Sequence, residues 1–267
     1  MKVLILGSTG LLGSTVAKYF ENNKNFDTHL AFRNENVSFG KNKVFFDALN
    51  TSLDSLPKAD YIINCIGIIK PFMEMDKEKN IYINSLFPHK LSSYCKKNNI
   101  KLIHITTDCV FSGKDGNYNE NSAHDALDLY GKSKSIGEPD NCMVIRTSII
   151  GEEIHKNASL IEWAKSMRDK EVNGFTNHIW NGVTTKHYAE LCEKIINNNL
   201  YKEELFHIHS NNVTKYYLLN LISHKFNLKL KINSFQTKEK CDRSLCSNKE
   251  LNNILKVKTI EQQILEL

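Results

Sequence analysis

Tyr130 and Lys134 are the residues of this chain whose types and spacing could perform acid-base chemistry. They are four residues apart, so on a helix they lie on one face, one turn apart. A free phenol has a pKa of about 10, and a neighbouring ammonium favours its ionised form, so a tyrosine paired in this way could act as an acid or base near neutral pH. Such a pair is common by chance. It gains weight here from a glycine-rich turn near the N-terminus.

That turn, Gly7-Ser8-Thr9-Gly10-Leu11-Leu12-Gly13, follows the apolar run 3–6 and precedes an amphipathic run. Glycines at a strand-to-helix turn let the backbone approach a pyrophosphate, and the helix N-terminus adds N–H groups and the positive end of its dipole. An ordinary glycine-containing turn is the alternative. Dinucleotide binding is favoured because strand, turn and helix occur in the required order.

Arg33 follows the second predicted strand, where the type of nicotinamide cofactor is usually decided. An acidic residue there would bind the ribose 2′-hydroxyl, whereas an arginine accommodates a 2′-phosphate. Arg33 therefore favours NADP(H), with NAD(H) as the alternative cofactor, unless it is only a solvated surface residue. Two further strand ends are expected to contact the cofactor: Asp47, Ala48 and Leu49, which could instead form a plain strand-exit turn, and Cys65, Ile66 and Gly67.

The elements that must position these residues alternate along the first half of the chain. Apolar runs predict strands at 3–6, 28–32, 44–46, 61–65, 102–106 and 143–147. Amphipathic runs predict helices at 12–22 and 80–97, the second bent or broken at Pro88. This alternation predicts an α/β fold with a Rossmann-type doubly wound parallel sheet, which binds ligands at the carboxyl ends of its strands.

The second half is less regular. It predicts helices at 160–170, 185–197 and 215–226, and strands at 205–209 and 228–232. Without a linker rich in Pro, Gly or Ser, a smaller lobe should pack tightly on the first. We expect residues 1–150 to form an NADP-binding Rossmann domain, with part of 183–210 packing back on it. Residues 151–267 should form mainly a smaller C-terminal α/β substrate-binding lobe.

Composition narrows the functional class. The 267 residues are 41% hydrophobic and 24% charged, with a net charge of +5 spread along the chain, so neither nucleic acid nor a membrane is an expected partner. The seven cysteines form no CxxC pair and no zinc-type grouping, which favours free thiols in a cytoplasmic protein and no metal site. His155, His178 and His187 are expected to be surface or core residues.

Several motifs together resemble an extended short-chain dehydrogenase/reductase, and within that superfamily the dTDP-4-dehydrorhamnose reductase (sugar-nucleotide-binding) family. They are the glycine turn, Thr106-Thr107-Asp108-Cys109-Val110-Phe111-Ser112-Gly113, Tyr130-Gly131-Lys132-Ser133-Lys134 and Arg146-Thr147-Ser148. The late Asp242-Arg243-Ser244 is similar to that family's arginine-serine motif. The resemblance therefore runs nearly from end to end.

The resemblance implies roles for these residues. Tyr130 would donate a proton, Lys134 would bind the nicotinamide ribose and lower the tyrosine's pKa, and Thr107 would hydrogen-bond the substrate oxygen. The implied substrate contacts are Thr107, Asp108, Cys109, Asn181 and Arg243. The implied activity is NADPH-dependent reduction of the C4 ketone of a nucleotide-linked 4-keto-6-deoxy sugar, in polysaccharide-precursor pathways such as dTDP-rhamnose biosynthesis, by a chain that could form a homodimer.

Two departures from the family pattern leave alternatives open. Cys109 stands where the family commonly has tyrosine, and relatives with a cysteine there use it for epimerase chemistry, so a bifunctional 3,5-epimerase/4-reductase is one alternative. Cysteine is also often a small buried apolar residue. The run Asn181-Gly182-Val183-Thr184-Thr185 replaces the usual Gln-x-Gly-x-Pro-Thr, which leaves the sugar open. A non-catalytic, NADP-binding regulatory subunit is a third interpretation.

Overall fold

A parallel sheet of seven strands forms the centre of the protein. The computed structural model describes residues 1–33, 38–153 and 159–267. The strands of the sheet are β1 (Lys2–Leu6), β2 (Asp27–Phe32), β3 (Asn42–Phe45), β4 (Tyr61–Asn64), β5 (Lys101–Thr107), β6 (Met143–Thr147) and β11 (Leu205–His207). They lie in the order β11-β6-β5-β4-β1-β2-β3. The predicted doubly wound fold is confirmed, and its strand order reverses between β1 and β4, where such sheets bind ligands.

Helices cover both faces of this sheet, and others pack in a separate core of the smaller lobe. Among the described residues the helices are α1 (Leu11–Glu21), α2 (Lys77–Ile81), α3 (Phe87–Lys97), α4 (Leu129–Ile136), α5 (Leu160–Ser166), α6 (Thr185–Asn197), α7 (Lys215–Lys225), α8 (Leu251–Leu255) and α9 (Ile260–Leu265). The separate core contains α5, α7 and α9. Side chains alternate along a strand, so Val3 and Ile5 join one apolar core with α1 and α6. Leu4 and Leu6 join the core on the opposite face with α3. None of the helices among the described residues is long and apolar enough to cross a membrane.

The helix predicted over 80–97 is divided into three parts. A π-helical turn, Tyr82–Leu86, lies between α2 and α3. Pro88 lies in the first turn of α3. Proline is tolerated there because its missing N–H would have no partner within the helix. The irregularity therefore precedes the proline, and it contains Asn84, whose side chain contacts the site described below.

In the described part of the chain, the smaller lobe contains three short sheets at the carboxyl edge of the large one. Strands β7 (Ile149–Ile150) and β10 (Val183–Thr184) pair, as do β8 (Glu171–Phe175) and β13 (Lys231–Phe235). Strand β9 (His178–Trp180) lies between β12 (Val213–Thr214) and β14 (Cys241–Asp242). The prediction of a strand at 228–232 is wrong by three residues, because Asn227 and Lys229 adopt positive φ and form a turn.

Candidate active site and cofactor site

The glycine turn between β1 and α1 is closely packed at its two ends. Gly7 has a φ of +78°, in the region that favours glycine. A Cβ at Gly13 would lie 2.0 Å from the carbonyl oxygen of Gly7. The first turn of α1 can therefore approach β1 this closely only with glycine at position 13.

Gly10, unlike Gly7 and Gly13, lies on the exposed side of the turn. It is exposed, its backbone is extended (φ −78°, ψ 171°), and an added Cβ would make only an ordinary contact of 3.4 Å with Gly7. It precedes α1, whose N-terminus has no side-chain cap and no acidic residue in its first turn. Open space in front of uncapped N–H groups and a positive dipole end fits a pyrophosphate.

The other residues of the turn divide into backbone and side-chain candidates. The Ser8 hydroxyl is buried and donates to the Ile5 carbonyl (2.8 Å), and Leu12 packs in the core. Both could contact a ligand only through the backbone. Thr9 and Leu11 are half-buried.

The strand ends beside the turn differ in how open they are. Arg33 is exposed, one residue beyond β2. The Asp47 carboxylate accepts hydrogen bonds from Leu49 N (3.1 Å) and Asn50 Nδ2 (2.9 Å), so it stabilises its own turn, and Ala48 is buried. This arrangement fits the strand-exit alternative for the Asp47 side chain, while a contact of this turn with the cofactor stays a prediction.

The loop after β4 adjoins both the glycine turn and Lys134. A Cβ at Gly7 would lie 3.1 Å from backbone atoms of Cys65 and Ile66, and one at Gly67 would lie 3.9 Å from Lys134 Nζ. Lys134 is buried on α4, donates to the Ile105 carbonyl (3.2 Å), and has its pKa lowered to about 8 by burial, against which the Glu138 carboxylate acts. The ammonium thus lies between the predicted cofactor loop and β5.

Tyr130 and Thr107 are brought together by the start of α4. Asp128 caps this helix, accepting a hydrogen bond from Gly131 N (3.0 Å). A Cβ at Gly131 would lie 2.3 Å from the Cys109 carbonyl oxygen, so glycine permits the helix to touch the turn after β5. Burial raises the pKa of Tyr130, Cys109 raises it further, and a hydrogen bond with Thr107 lowers it. The phenol is therefore protonated at neutral pH; that Lys134 lowers its pKa stays a prediction.

Cys109 lies in the same turn, the 3-10 helix Asp108–Val110. Its backbone N–H donates to Thr107 Oγ1 (3.1 Å), and the Thr107 hydroxyl donates to Asp108 Oδ1 (3.1 Å). Burial raises the pKa of the Cys109 thiol to about 12, with the Asp108 carboxylate adding to the rise and Arg243 opposing it. The thiol is thus protonated at neutral pH in this environment.

The two substrate-lobe candidates have different surroundings. Arg243 is half-buried, and its Nε donates to the Phe111 carbonyl (2.9 Å), which places its guanidinium near Asp108 and Cys109. The buried Asn181 amide donates to the Leu245 carbonyl (2.7 Å) and accepts from Leu245 N (3.0 Å). Asn181 therefore holds the segment that carries Arg243.

Sequence reasoning missed a set of buried polar residues under the site. Asn64 Nδ2 donates to His104 Nδ1 (3.0 Å), and His104 Nε2 donates to the Gly137 carbonyl (3.2 Å), which ties β4 and β5 to the end of α4. Asn84 contacts Ser133 (3.3 Å) and accepts from Ile68 N (2.8 Å). Polar residues within apolar strands were the available signal for Asn64 and His104; Asn84 gave none.

Arg146 is the centre of a second buried network. Its side chain donates to both oxygens of Glu138 (3.0 and 2.5 Å) and to His207 Nε2 (2.8 Å). His207 Nδ1 donates to the Cys246 carbonyl (2.8 Å) and lies 3.1 Å from that of Tyr118. This network joins β6 and β11 to the loop that contains Tyr118 and to the segment of the smaller lobe that contains Cys246. In the sequence, an arginine inside an apolar strand is the feature that indicates such a buried polar network.

Two of the histidines that were expected to be surface or core residues contact other side chains of the protein. His178 contacts Thr237 (2.9 Å), and the buried His187 contacts Glu190 (2.9 Å), whereas His155 lies outside the described residues. All seven cysteines are free. Within residues 1–33, 38–153 and 159–267, no group of three or more His, Cys, Asp or Glu side chains could hold a metal ion.

The doubly wound sheet, with the glycine turn and the residues Thr107, Tyr130 and Lys134 at its carboxyl edge, defines a Rossmann-type α/β protein with a second lobe over that edge. The sequence profile of the RmlD substrate binding domain matches residues 1–264, and the chain belongs to that family. The resemblance to the dTDP-4-dehydrorhamnose reductase family is thereby confirmed.

Individual relatives carry two different names. The chain is 27% identical over 222 residues to a dTDP-4-dehydrorhamnose reductase from Aggregatibacter actinomycetemcomitans, an alignment that covers 77% of this chain and 72% of the relative. It is 32% identical over 164 residues to methionine adenosyltransferase 2 subunit beta from Danio rerio, covering 58% of this chain. That match spans only 50% of the zebrafish protein's length.

A solved structure shares the fold. It is dTDP-4-dehydrorhamnose reductase from Bacillus anthracis in complex with NADP, with a TM-score of 0.81 and 19% identity over 99% of this chain and 97% of that one.

Proposed function

We propose that this protein is an NADPH-dependent reductase of the C4 ketone of a nucleotide-linked 4-keto-6-deoxy sugar. The observation that carries the proposal is the meeting of Thr107, Tyr130 and Lys134 beside the β4 loop at the carboxyl edge of the sheet. A reductase needs a proton donor next to the carbonyl oxygen, and the half-buried, protonated phenol of Tyr130 supplies one. The family and the name of the Aggregatibacter relative support the substrate class.

The cofactor is proposed to be NADP(H), with NAD(H) as the alternative. Residues 7–13 would hold the pyrophosphate, Arg33 the 2′-phosphate, Cys65, Ile66 and Gly67 the middle of the dinucleotide, and Lys134 the nicotinamide ribose. The NADP bound to the Bacillus anthracis reductase supports this choice. When bound, the cofactor supplies the hydride.

The chain's own residues would orient the substrate carbonyl and donate the proton to it. The Thr107 hydroxyl, fixed between Asp108 and the Cys109 N–H, would orient the substrate carbonyl toward Tyr130. Tyr130 would give its proton to the carbonyl oxygen as that oxygen becomes an alcohol. Lys134 would stay charged below its pKa of about 8 and so favour the phenolate left behind.

The direct test is NADPH oxidation with a panel of nucleotide-linked 4-keto-6-deoxy sugars, followed by identification of the product's stereochemistry. Reduction of at least one member that is lost in Tyr130→Phe is the expected result. Cofactor binding without reduction of any member would contradict the proposal.

A regulatory role is the second candidate, and the methionine adenosyltransferase subunit beta relatives are the observation that favours it. In that case the chain would bind NADP and a methionine adenosyltransferase chain without reducing a sugar. Size-exclusion chromatography of the mixture would detect such a complex. Retention of Thr107, Tyr130 and Lys134 favours the reductase, because a regulatory subunit does not need them.

The epimerase alternative has weaker support. A base at Cys109 needs a thiolate, and burial opposes its formation.

A cytoplasmic location fits the seven free cysteines. A homodimer stays a proposal, which the molar mass of the protein in solution would test.

A further inference from the structure

Lys215 is a cation of the substrate lobe that the motifs did not single out. It is the first residue of α7, and Thr214 fixes this end of the helix by accepting a hydrogen bond from Tyr217 N (3.0 Å). The Lys215 ammonium lies 5.1 Å from the centre of the Trp180 ring. Trp180 pairs with Val213 across β9 and β12, so the backbone holds both residues in register.

Trp180 connects Lys215 to the catalytic edge of the sheet. Its indole N–H donates to Ser148 Oγ (2.8 Å), and Ser148 directly follows β6. Strand β6 lies beside β5, with Thr147 opposite Thr107. The lysine therefore lies above the carboxyl end of the strand that carries the proposed substrate-orienting hydroxyl.

Positive charges outnumber negative charges in the surroundings of Lys215. Asp108 acts electrostatically on Lys215 and also on Arg243, so the two cations lie near the same carboxylate. Asp108 is the carboxylate common to both, and Asp128, which also acts on Arg243, is paired with Lys70 (3.0 Å). Two cations therefore face one shared carboxylate.

The Lys215 ammonium is also short of partners. Within the described ranges, it has no hydrogen bond and no ion pair, and its contact is the aromatic face of Trp180. Burial lowers its pKa, which means that the charged form is poorly solvated where it stands. An anionic group in the cleft would compensate that cost.

We propose that Lys215 and Arg243 together bind an anionic oxygen group of the substrate, with Lys215 a specificity-determining residue. This group is the diphosphate of the nucleotide sugar, because the proposed 4-keto-6-deoxy sugar itself carries no carboxylate. The proposal rests on the proposed nucleotide-sugar function and adds a second cation to the arginine of the late motif. Lys215 would hold the anion from α7, while Arg243 would hold it from the segment after β14.

Titration calorimetry with NADP⁺ present would test the proposal on the wild type and Lys215→Met. Methionine keeps the length and the contact with Trp180 but removes the charge. Lys231→Met, at an exposed position of β13 in the same lobe, is the matched control, and Lys215→Arg should restore binding. The probes are UDP, UDP-glucose and UDP-glucuronic acid, and thermal melting would verify that each variant is folded.

We expect Lys215→Met to weaken binding about tenfold or more, the size of a lost charge-assisted contact. An equal loss for all three probes assigns the anion to the diphosphate. A loss confined to UDP-glucuronic acid would place Lys215 at the sugar and would overturn its assignment to the diphosphate. Unchanged binding of every probe to folded Lys215→Met, or no binding of any probe to the wild type, would overturn the proposal. Binding that depends on Lys215 but without reduction of any keto sugar would instead refute the proposed reductase.

Discussion

Two glycines of one turn should separate folding from cofactor binding. At Gly13 an added Cβ would lie 2.0 Å from the Gly7 carbonyl oxygen, far inside an ordinary contact. At Gly10 the same atom would lie 3.4 Å from that oxygen, on the exposed side of the turn. We therefore expect Gly13→Ala to damage the fold, and Gly10→Val to spare the fold but abolish dinucleotide binding.

The expected loss in the free energy of unfolding for Gly13→Ala follows from these contacts. Overpacking costs about 1–3 kcal/mol, and the upper end applies because the obstructing atoms are backbone, which no change of rotamer can relieve. Alanine returns about 1 kcal/mol through its better helix propensity. The free energy of unfolding should fall by about 2 kcal/mol, which lowers Tm by about 4–8 °C for a protein of this size.

For Gly10→Val we expect a loss of dinucleotide binding rather than a loss of stability. The backbone there is extended and suits any residue, so the fold should lose less than about 1 kcal/mol, mainly because valine is a poor N-cap. The side chain would occupy the space in front of the α1 N-terminus, where the pyrophosphate is expected. Thermal melting and calorimetry with NADP⁺ on both variants would test this division. A folded Gly10→Val that binds NADP⁺ like the wild type, or a Gly13→Ala as stable as the wild type, would refute the reasoning.

Four further predictions concern single side chains. Arg33→Ala should remove a preference for NADP(H) over NAD(H) of about tenfold or more, the size of a charge-assisted phosphate contact; equal dissociation constants in the wild type would show that the arginine is only a surface residue. Tyr130→Phe should lower turnover by about 10²–10⁴-fold and leave NADPH binding almost unchanged; near-normal turnover would disprove its role as proton donor. The wild type should not exchange deuterium at C3 or C5 of a 4-keto sugar without NADPH, because the Cys109 thiol is protonated; exchange that Cys109→Ser removes would establish the epimerase-reductase. Burial and Arg146 lower the pKa of His207 to about 4, so the unfolded state binds a proton first and stability should fall as the pH drops from about 6.5 to about 4; an equal fall in His207→Gln would assign it to other groups.

The sequence predicted the framework because its strands are continuous apolar runs. The predicted bounds of β6 and α6 agree with the structure at both ends. Short strands of two or three residues, such as β7, β10 and β12, were missed because they carry too few residues to show a period. Their pairing is set by contacts between segments far apart in the chain.

The site was predictable where chemistry needs a fixed spacing in sequence, as for Tyr130 and Lys134. Groups assembled from distant segments were not predictable in that way. Lys215 and Arg243 come from two different segments, α7 and the chain after β14, and only the fold brings both near the Asp108 carboxylate. The protonation of Cys109 depends on burial, which residue type alone does not give.

Strand β11 has a consequence for how this chain can be divided. It completes the large sheet beside β6, with Leu205 opposite Val144, although it follows the first half of the smaller lobe in sequence. A chain that ended at residue 150 would leave the edge of β6 unpaired and would remove α6 from the core around Phe20. The smaller lobe is thus built from two segments of the chain, one after β6 and one after β11, with α6 and β11 of the larger domain between them. We therefore expect that recombination between relatives can exchange these two segments separately when the junctions coincide with the ends of β6 and β11.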